Sequence, residues 1–252
     1  MNRITDYPEL KTRIVSWIKD YAIVNNIKSL VVGVSGGIDS AVVSTLCAET
    51  GLPTYVLSMP LLSKVDSDKL SDSHANTLEE KYNNVTKIRV ELSGVYDKFV
   101  HSLNWWTGSY EYTSNELANA NTKSRLRMVT LYQVAGTVGG IVVGTGNKVE
   151  DYGVGFYTKY GDGGVDIAPI ADLYKTEVWM LGEHLGIDER IISAPPTDGL
   201  WDDGRTDEDQ IGATYAELEH AMETGEGPGL GPLLKFSGMN SHKMNPIPTF
   251  KL

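Results

Sequence analysis

The sequence contains a single cysteine, Cys47, and no run of about 20 apolar residues of the kind that spans a membrane. One cysteine excludes an internal disulfide, and with five scattered histidines there is no ligand spacing typical of zinc. The first ten residues, MNRITDYPEL, lack the apolar core of a signal peptide. The sequence therefore predicts a cytoplasmic protein without a structural zinc site.

Basic residues are also scarce. Lys and Arg number 22 against 33 Asp and Glu, a formal net charge of −11. Such a field repels phosphate backbones, which argues against a general nucleic-acid binder and against binding to anionic membranes. Anionic ligands of this protein need local basic residues.

The 252 residues present suffice for a full core, and we expect one domain over residues 1–252. Short apolar runs predict strands at residues 30–34, 55–57, 87–90 and 141–143. Helix-compatible segments alternate with these runs, so the fold class predicted is α/β: a doubly wound, mainly parallel, Rossmann-like sheet with helices on both faces. Ligands of such sheets bind beyond the carboxyl ends of the strands. The polar segment 194–212 is expected to be a mobile loop.

Directly after the first predicted strand, residues 35–40 read Ser-Gly-Gly-Ile-Asp-Ser and lead into a predicted helix. Small residues let backbone amides approach phosphate oxygens, and the helix N-terminus favours anions. The spacing and lysine of a Walker A loop are absent, so this is a different phosphate loop. A surface turn uses the same residue types. Asp39 either satisfies free helix amides or binds a divalent cation.

This loop resembles that of the ATP pyrophosphatase family, whose members carry S-G-G-x-D-S and release pyrophosphate while adenylating a substrate. Three further segments, 144–150, 156–166 and 169–178, are similar to the NAD synthetase family, and the resemblance extends over residues 29–248. It implies a ligase acting on nicotinic acid adenine dinucleotide (deamido-NAD). The pyridine carboxylate is adenylated by ATP, and ammonia then displaces AMP to give NAD.

The resemblance also implies which residues bind ATP as the co-substrate: Ser35, Gly36, Gly37, Asp39, Ser40, Thr145, Lys175 and Thr197. It implies that Asp39 and Glu150 together hold Mg²⁺, and that Asp39, Asp162 and Lys175 are the catalytic residues. The ordinary alternatives are a solvated loop acid for Glu150 and a surface helix position for Lys175.

For deamido-NAD, residues 121–128 resemble the family's N-x-K-x-R-x-R-M helix. The contacts implied are those of Asn121, Arg125, Lys159, Asp166, His242 and Lys243. Asp162 is the candidate for holding or deprotonating ammonium. An exposed helix arginine and a frayed C-terminal tail are the structural alternatives for Arg125 and for the His-Lys pair.

Glutamine-dependent relatives carry an added glutaminase domain with a cysteine nucleophile. Cys47 lies in the helix after the phosphate loop, so free ammonia, or ammonia from a separate glutaminase, is the expected nitrogen donor. The resemblance further implies a homodimer. We expect the N-terminal helix or residues 128–138 to supply apolar interface surface.

Other functions remain open from the sequence. They are another amidating enzyme such as the synthetase domain of GMP synthetase, a sulfur-transferring tRNA enzyme, and a nucleotide-binding module without chemistry. The acidic charge and the lack of cysteine pairs count against the tRNA enzyme. The joint presence of Asp39, Glu150 and Lys175 counts against the inert module.

Overall fold

A parallel sheet forms the centre of the molecule. The structure is a computed structural model and describes residues 3–62, 65–107, 115–197, 199–201 and 204–251. The strands are β1 (Ser29–Val34), β2 (Thr54–Ser58), β3 (Val85–Arg89) and β4 (Gly140–Val142). They lie in the order β3-β2-β1-β4, with Val31 aligned to Tyr55 on one side and to Val142 on the other.

The helices connect and cover these strands. They are α1 (Tyr7–Val24), α2 (Ile38–Glu49), α3 (Val65–Lys81), α4 (Ser93–Thr107), α5 (Glu116–Val138), α6 (Lys175–Leu185), α7 (Glu189–Ile192), α8 (Asp207–Ile211), α9 (Tyr215–Thr224) and α10 (Leu230–Met244). A π-helical turn, Val149–Val154, follows β4. Within the described ranges, none of these helices is long and apolar enough to cross a membrane.

Helices cover both faces of the sheet. Side chains alternate between the two faces along each strand, so each strand contributes to both cores. Leu30 and Val32 of β1 pack into a core with α1, α2 and α6. Val31, between them, packs into a second core with α4 and α5. Burial on two sides explains why β1 is a continuous apolar run rather than an alternating one. The predicted fold class, a parallel sheet with helices on both faces, is confirmed.

The strand order determines where a ligand can bind. From β1 the chain winds outward through β2 and β3, then crosses to β4 on the other side of β1. The segments that leave β1 and β4 therefore diverge at a topological switch point, where open α/β sheets bind ligands. Ser35 follows β1 directly and Thr145 comes shortly after β4. The two segments singled out in the sequence thus meet at one crevice.

The expectation of a mobile loop at 194–212 is wrong for its last part. Residues 207–211 form α8, in which Asp207 is buried and Ile211 packs against Tyr215 and the π-helical turn. A capping box between Thr206 and Asp209 satisfies the first amides of the helix. Acidic composition concealed an anchored helical turn.

Candidate active site

The phosphate loop is closed by its own serines. The Ser35 amide donates to Ser40 Oγ at 3.1 Å, and Ser40 Oγ donates to the Gly37 carbonyl at 3.0 Å. Gly36 has φ of +89°, a conformation that favours glycine, and Gly37 caps α2 without a side-chain hydrogen bond. The loop is therefore shaped before any ligand arrives, at the positive end of a helix of 12 residues.

A buried lysine joins the two strand ends. Lys175, the first residue of α6, is 3% exposed, and its ammonium contacts the carboxylates of Asp39 in α2 and Glu150 in the π-helical turn. The contact to Glu150 Oε1 measures 3.1 Å. Lys175 is thus not a surface residue, and Glu150 is not a solvated loop acid.

Charge keeps this lysine protonated. Burial by itself lowers the pKa of Lys175, but the charges of Asp39, Glu150 and Asp207 outweigh it and raise the pKa above its ordinary value. A permanent cation therefore lies at the switch point, where it can neutralise phosphate charge.

Asn147 orients both carboxylates, and the sequence reading did not single it out. Its Nδ2 donates to Asp39 Oδ1 at 3.1 Å, while its Oδ1 accepts the amides of Val149 and Glu150 at 3.1 and 3.2 Å. The asparagine is fully buried. The sequence does carry a signal for this role of Asn147. Asparagine side chains often accept backbone amides two or three residues further along and so stabilise a turn.

Tyr215 of α9 was also missed. Its hydroxyl donates to Glu150 Oε1 at 2.7 Å and lies 3.3 Å from Asp207 Oδ2. Burial, followed by the nearby charges of Glu150, Asp207 and Asp39, raises the pKa of Tyr215, so the phenol keeps its proton. No local pattern indicates this contact, because 65 residues separate the two partners.

Asp39 and Glu150 fit the requirements of a magnesium site. Both carboxylates already reach one cation, the Lys175 ammonium. Protein sites for Mg²⁺ commonly supply one or two carboxylates and leave the remaining positions to water and substrate phosphates. Across the described residues there is no group of three or more His, Cys, Asp or Glu side chains able to hold a metal. An Mg²⁺ ion held by Asp39 and Glu150 would take its remaining ligands from water and from the nucleotide phosphates.

Five of the six residues predicted to bind deamido-NAD meet at residues 157–159, in the loop of residues 155–166. Asn121 Oδ1 accepts from Thr158 Oγ1 at 2.6 Å, and Arg125 Nε donates to the Lys159 carbonyl at 3.2 Å. Lys159 Nζ in turn donates to the carbonyl of His242 at 3.3 Å. Helices α5 and α10 thus bracket the loop, and the C-terminal His-Lys pair lies in α10, not in a frayed tail.

Lys243 reaches the same loop, donating to the Tyr157 carbonyl at 2.7 Å. Burial, opposed by the charge of Asp162, lowers the pKa of Lys243. Asp166 lies apart from this group, at the edge of β4, where it accepts from the Val142 amide at 2.7 Å and from the Tyr132 hydroxyl at 3.1 Å. Asp166 thus covers a strand edge in this conformation.

Thr145 and Thr197 differ in their setting. Thr145 is half-buried and lies in the segment between β4 and Asn147. Thr197 is exposed, and its hydroxyl donates to the Arg205 carbonyl at 3.2 Å, within its own loop. The ATP role of Thr197 stays a prediction.

A cavity of about 150 Å³ opens beside the segment that follows β4. Its lining includes Gly144, Gly146, Asp151, Tyr157 and Asp162. Asp162 Oδ1 accepts from Ser124 Oγ at 2.6 Å and from the Thr158 amide at 2.9 Å. Burial raises the pKa of Asp162, although these hydrogen bonds oppose the shift.

Fold and site together define a nucleotide-binding α/β protein with a phosphate loop and a buried lysine-carboxylate cluster. The NAD synthase family model matches residues 10–236. The chain therefore belongs to the NAD synthase family.

Individual relatives agree with this assignment. An NH₃-dependent NAD⁺ synthetase from Carboxydothermus hydrogenoformans is 41% identical over 88% of each chain. One from Alkaliphilus metalliredigens is 36% identical over 94% of this chain and 96% of its own. Among solved structures, an NMN synthetase from Francisella tularensis superposes with a TM-score of 0.89 at 30% identity, covering 99% of this chain and 100% of its own.

Asp151 lines the cavity, and its pKa can be tested through the pH dependence of protein stability. Burial, then the charges of Glu150, Asp162 and Asp39, raise the pKa of Asp151 from 3.8 to about 7. The folded protein therefore holds a proton that the unfolded chain has released, so this group lowers stability as the pH rises from 3.8 to about 7.

We expect Asp151→Asn, which removes this titration, to stabilise the protein above neutral pH. After allowance for solvent screening, the expected gain at pH 8 is about 1–2 kcal/mol. Urea unfolding from pH 4 to 8 measures it. The gain should be smallest near pH 4 and level off above about pH 7, and a gain that does not depend on pH would contradict the shift.

Proposed function

We propose that the protein makes NAD from deamido-NAD, ATP and ammonia, with AMP and pyrophosphate as the other products. The observation that carries the proposal is the buried Lys175 between Asp39 and Glu150 at the switch point. Family membership supports the choice of reaction. We further propose that the reaction takes place in the cytoplasm and uses free ammonia or ammonia from a separate glutaminase.

In the first step the pyridine carboxylate attacks the α-phosphorus of ATP. The bond from that phosphorus to the bridging oxygen of the β-phosphate breaks, and pyrophosphate leaves with the electron pair. The amides around Gly36 and Gly37 and the N-terminus of α2 hold the departing pyrophosphate. Lys175 neutralises developing charge in a site with little water. Mg²⁺, held by Asp39 and Glu150, would supply further neutralisation of the triphosphate.

In the second step the ammonia nitrogen attacks the carbonyl carbon of the adenylated substrate. The carbon–oxygen bond to AMP breaks, and the nitrogen loses a proton to give the amide. Asp162 lines the cavity together with Gly144 and Gly146, and burial makes its carboxylate a stronger base than an exposed one. We assign to it the proton released when ammonium becomes ammonia.

A second candidate substrate is the deamido form of NMN, a mononucleotide. The Francisella NMN synthetase matches the chain over almost its whole length with a TM-score of 0.89. The same pyridine carboxylate would react, and the adenylyl half of the dinucleotide would be absent. We favour the dinucleotide because the relatives at 41% and 36% identity are NAD⁺ synthetases.

The deciding experiment supplies purified protein with ATP, Mg²⁺, ammonium and one acceptor at a time. Deamido-NAD should give NAD, AMP and pyrophosphate in equal amounts, with a higher kcat/KM than the deamido form of NMN. The reverse preference would establish the mononucleotide. Amidation of xanthosine monophosphate alone would indicate a GMP synthetase-like enzyme, and release of ADP and phosphate would refute the adenylation mechanism.

Asp39 can be tested by Asp39→Asn, which keeps its size and removes its charge. Mutation of a residue that only supports a metal ligand typically lowers metal affinity or activity by about 10–100-fold. Loss of a ligand itself should therefore lower kcat/KM by at least about 100-fold. Asp20→Asn, an exposed substitution in α1, is the matched control and should retain full activity. Undiminished turnover in folded Asp39→Asn protein would eliminate the proposed metal role.

We also propose a homodimer formed through α4 and α5. These helices expose apolar side chains, among them Phe99, Val129 and Tyr132. Burial of such a patch against a second copy removes apolar surface from water. Sedimentation equilibrium should give twice the chain mass of 27.6 kDa. A Val129→Glu variant should shift the protein to monomer, and a wild-type monomer at all concentrations would exclude the dimer.

A further inference from the structure

The hydroxyl of Tyr215 lies in an almost fully buried position behind the proposed metal ligand Glu150. Tyr215 is 1% exposed and belongs to α9, far along the chain from the π-helical turn that carries Glu150. None of the roles assigned so far uses this residue. Its hydroxyl nevertheless donates to the carboxylate of Glu150, which the proposed function requires as a metal ligand.

The phenol has one hydrogen and two carboxylates within reach. Glu150 Oε1 lies at 2.7 Å and Asp207 Oδ2 at 3.3 Å, so the hydrogen points to Glu150. Glu150 Oε1 also accepts from Lys175 at 3.1 Å. Tyr215 and Lys175 thus both donate to the same oxygen of Glu150.

Packing holds the phenol ring in place. Trp179 meets the ring edge to face with centroids 6.1 Å apart, and the Lys175 ammonium lies 4.9 Å from the ring centroid. The hydroxyl position is therefore determined by a rigid aromatic ring rather than by a flexible side chain.

We propose that Tyr215 is a positioning residue that orients Glu150 toward the metal–nucleotide complex. The inference rests on the proposed function, in which Glu150 binds Mg²⁺. Lys175 is also expected to contact the triphosphate, whereas the Tyr215 hydroxyl, fixed by its packed ring, can keep donating to Glu150 when the nucleotide is bound. Partners that orient a metal-binding carboxylate affect metal affinity without touching the metal.

The test is Tyr215→Phe, which removes the hydroxyl and keeps the ring against Trp179 and Lys175. Mn²⁺ serves as the probe, and its binding to the enzyme in complex with a non-hydrolysable ATP analogue is followed by electron paramagnetic resonance. We expect Mn²⁺ to bind about 10–100-fold more weakly. The Mg²⁺ concentration needed for half-maximal activity should rise, while KM for deamido-NAD should stay unchanged.

Tyr82→Phe is the matched control. Tyr82 donates to Glu49 Oε1 at the same 2.7 Å, but at the far end of α2 from the phosphate loop. Its loss can lower stability and should leave Mn²⁺ affinity unchanged. An equal loss of Mn²⁺ affinity in both variants would mean that Tyr215 acts through general stability, which overturns the proposal.

Glu150→Gln separates failure of the inference from failure of the proposed function. If Glu150→Gln does not weaken Mn²⁺ binding, the metal role of Glu150 fails. If Glu150→Gln weakens it and folded Tyr215→Phe does not, the positioning role alone fails. In the variant that combines Glu150→Gln with Tyr215→Phe, the tyrosine substitution should not weaken Mn²⁺ binding further, because Tyr215 acts through the Glu150 carboxylate that is already missing. A full additional loss would overturn the proposal.

Asp207→Asn gives a second variant that keeps Tyr215 intact. Its amide can donate to the phenol oxygen, which leaves the phenol hydrogen on Glu150. Mn²⁺ affinity should therefore stay closer to wild type than in Glu150→Gln. A loss as large as that of Glu150→Gln would assign the effect to Asp207 and would overturn the proposal even if Tyr215→Phe does not fold.

Discussion

The buried contact of Lys175 with Asp39 and Glu150 is the interaction on which the site depends. It joins the first turn of α2, the π-helical turn after β4 and the first residue of α6. A charge buried without partners costs several kcal/mol, so each of these groups requires the others. The cluster fixes the relative position of segments that the sheet topology only brings near each other.

Support for this cluster comes from outside the sheet. Glu219 of α9, 1% exposed, accepts the Thr176 amide at 2.9 Å and so holds the first turn of α6. Arg3 donates to the same carboxylate at 2.9 Å. The N-terminal segment and α9 therefore both stabilise the helix start from which Lys175 projects. Positions remote in sequence thus share in the geometry of one ammonium group.

The fold, and the position of the phosphate loop directly after β1, could be predicted from the sequence, because local signals determine both. Strand β1 and the loop after it are continuous in sequence, and the end shifts of the predicted strands at β2 and β3 are only one or two residues. Tyr215 and Asp207 could not be found in this way. Glu150, the partner of Tyr215, is 65 residues from it in sequence, and the acidic composition of segment 194–212 does not indicate α8, which carries Asp207. Contacts of this kind exist only once α8 and α9 have packed.

The three cations around the loop at 155–166 are each held by a backbone carbonyl. Arg125 donates to Lys159, Lys159 to His242, and Lys243 to Tyr157. Long basic side chains normally lose about 2 kcal/mol of rotamer freedom when a ligand fixes them. Here part of that freedom is already lost before binding. In the proposed function, a substrate phosphate that replaces one of these carbonyls meets a preorganised cation, which lowers the entropic cost of binding a flexible dinucleotide.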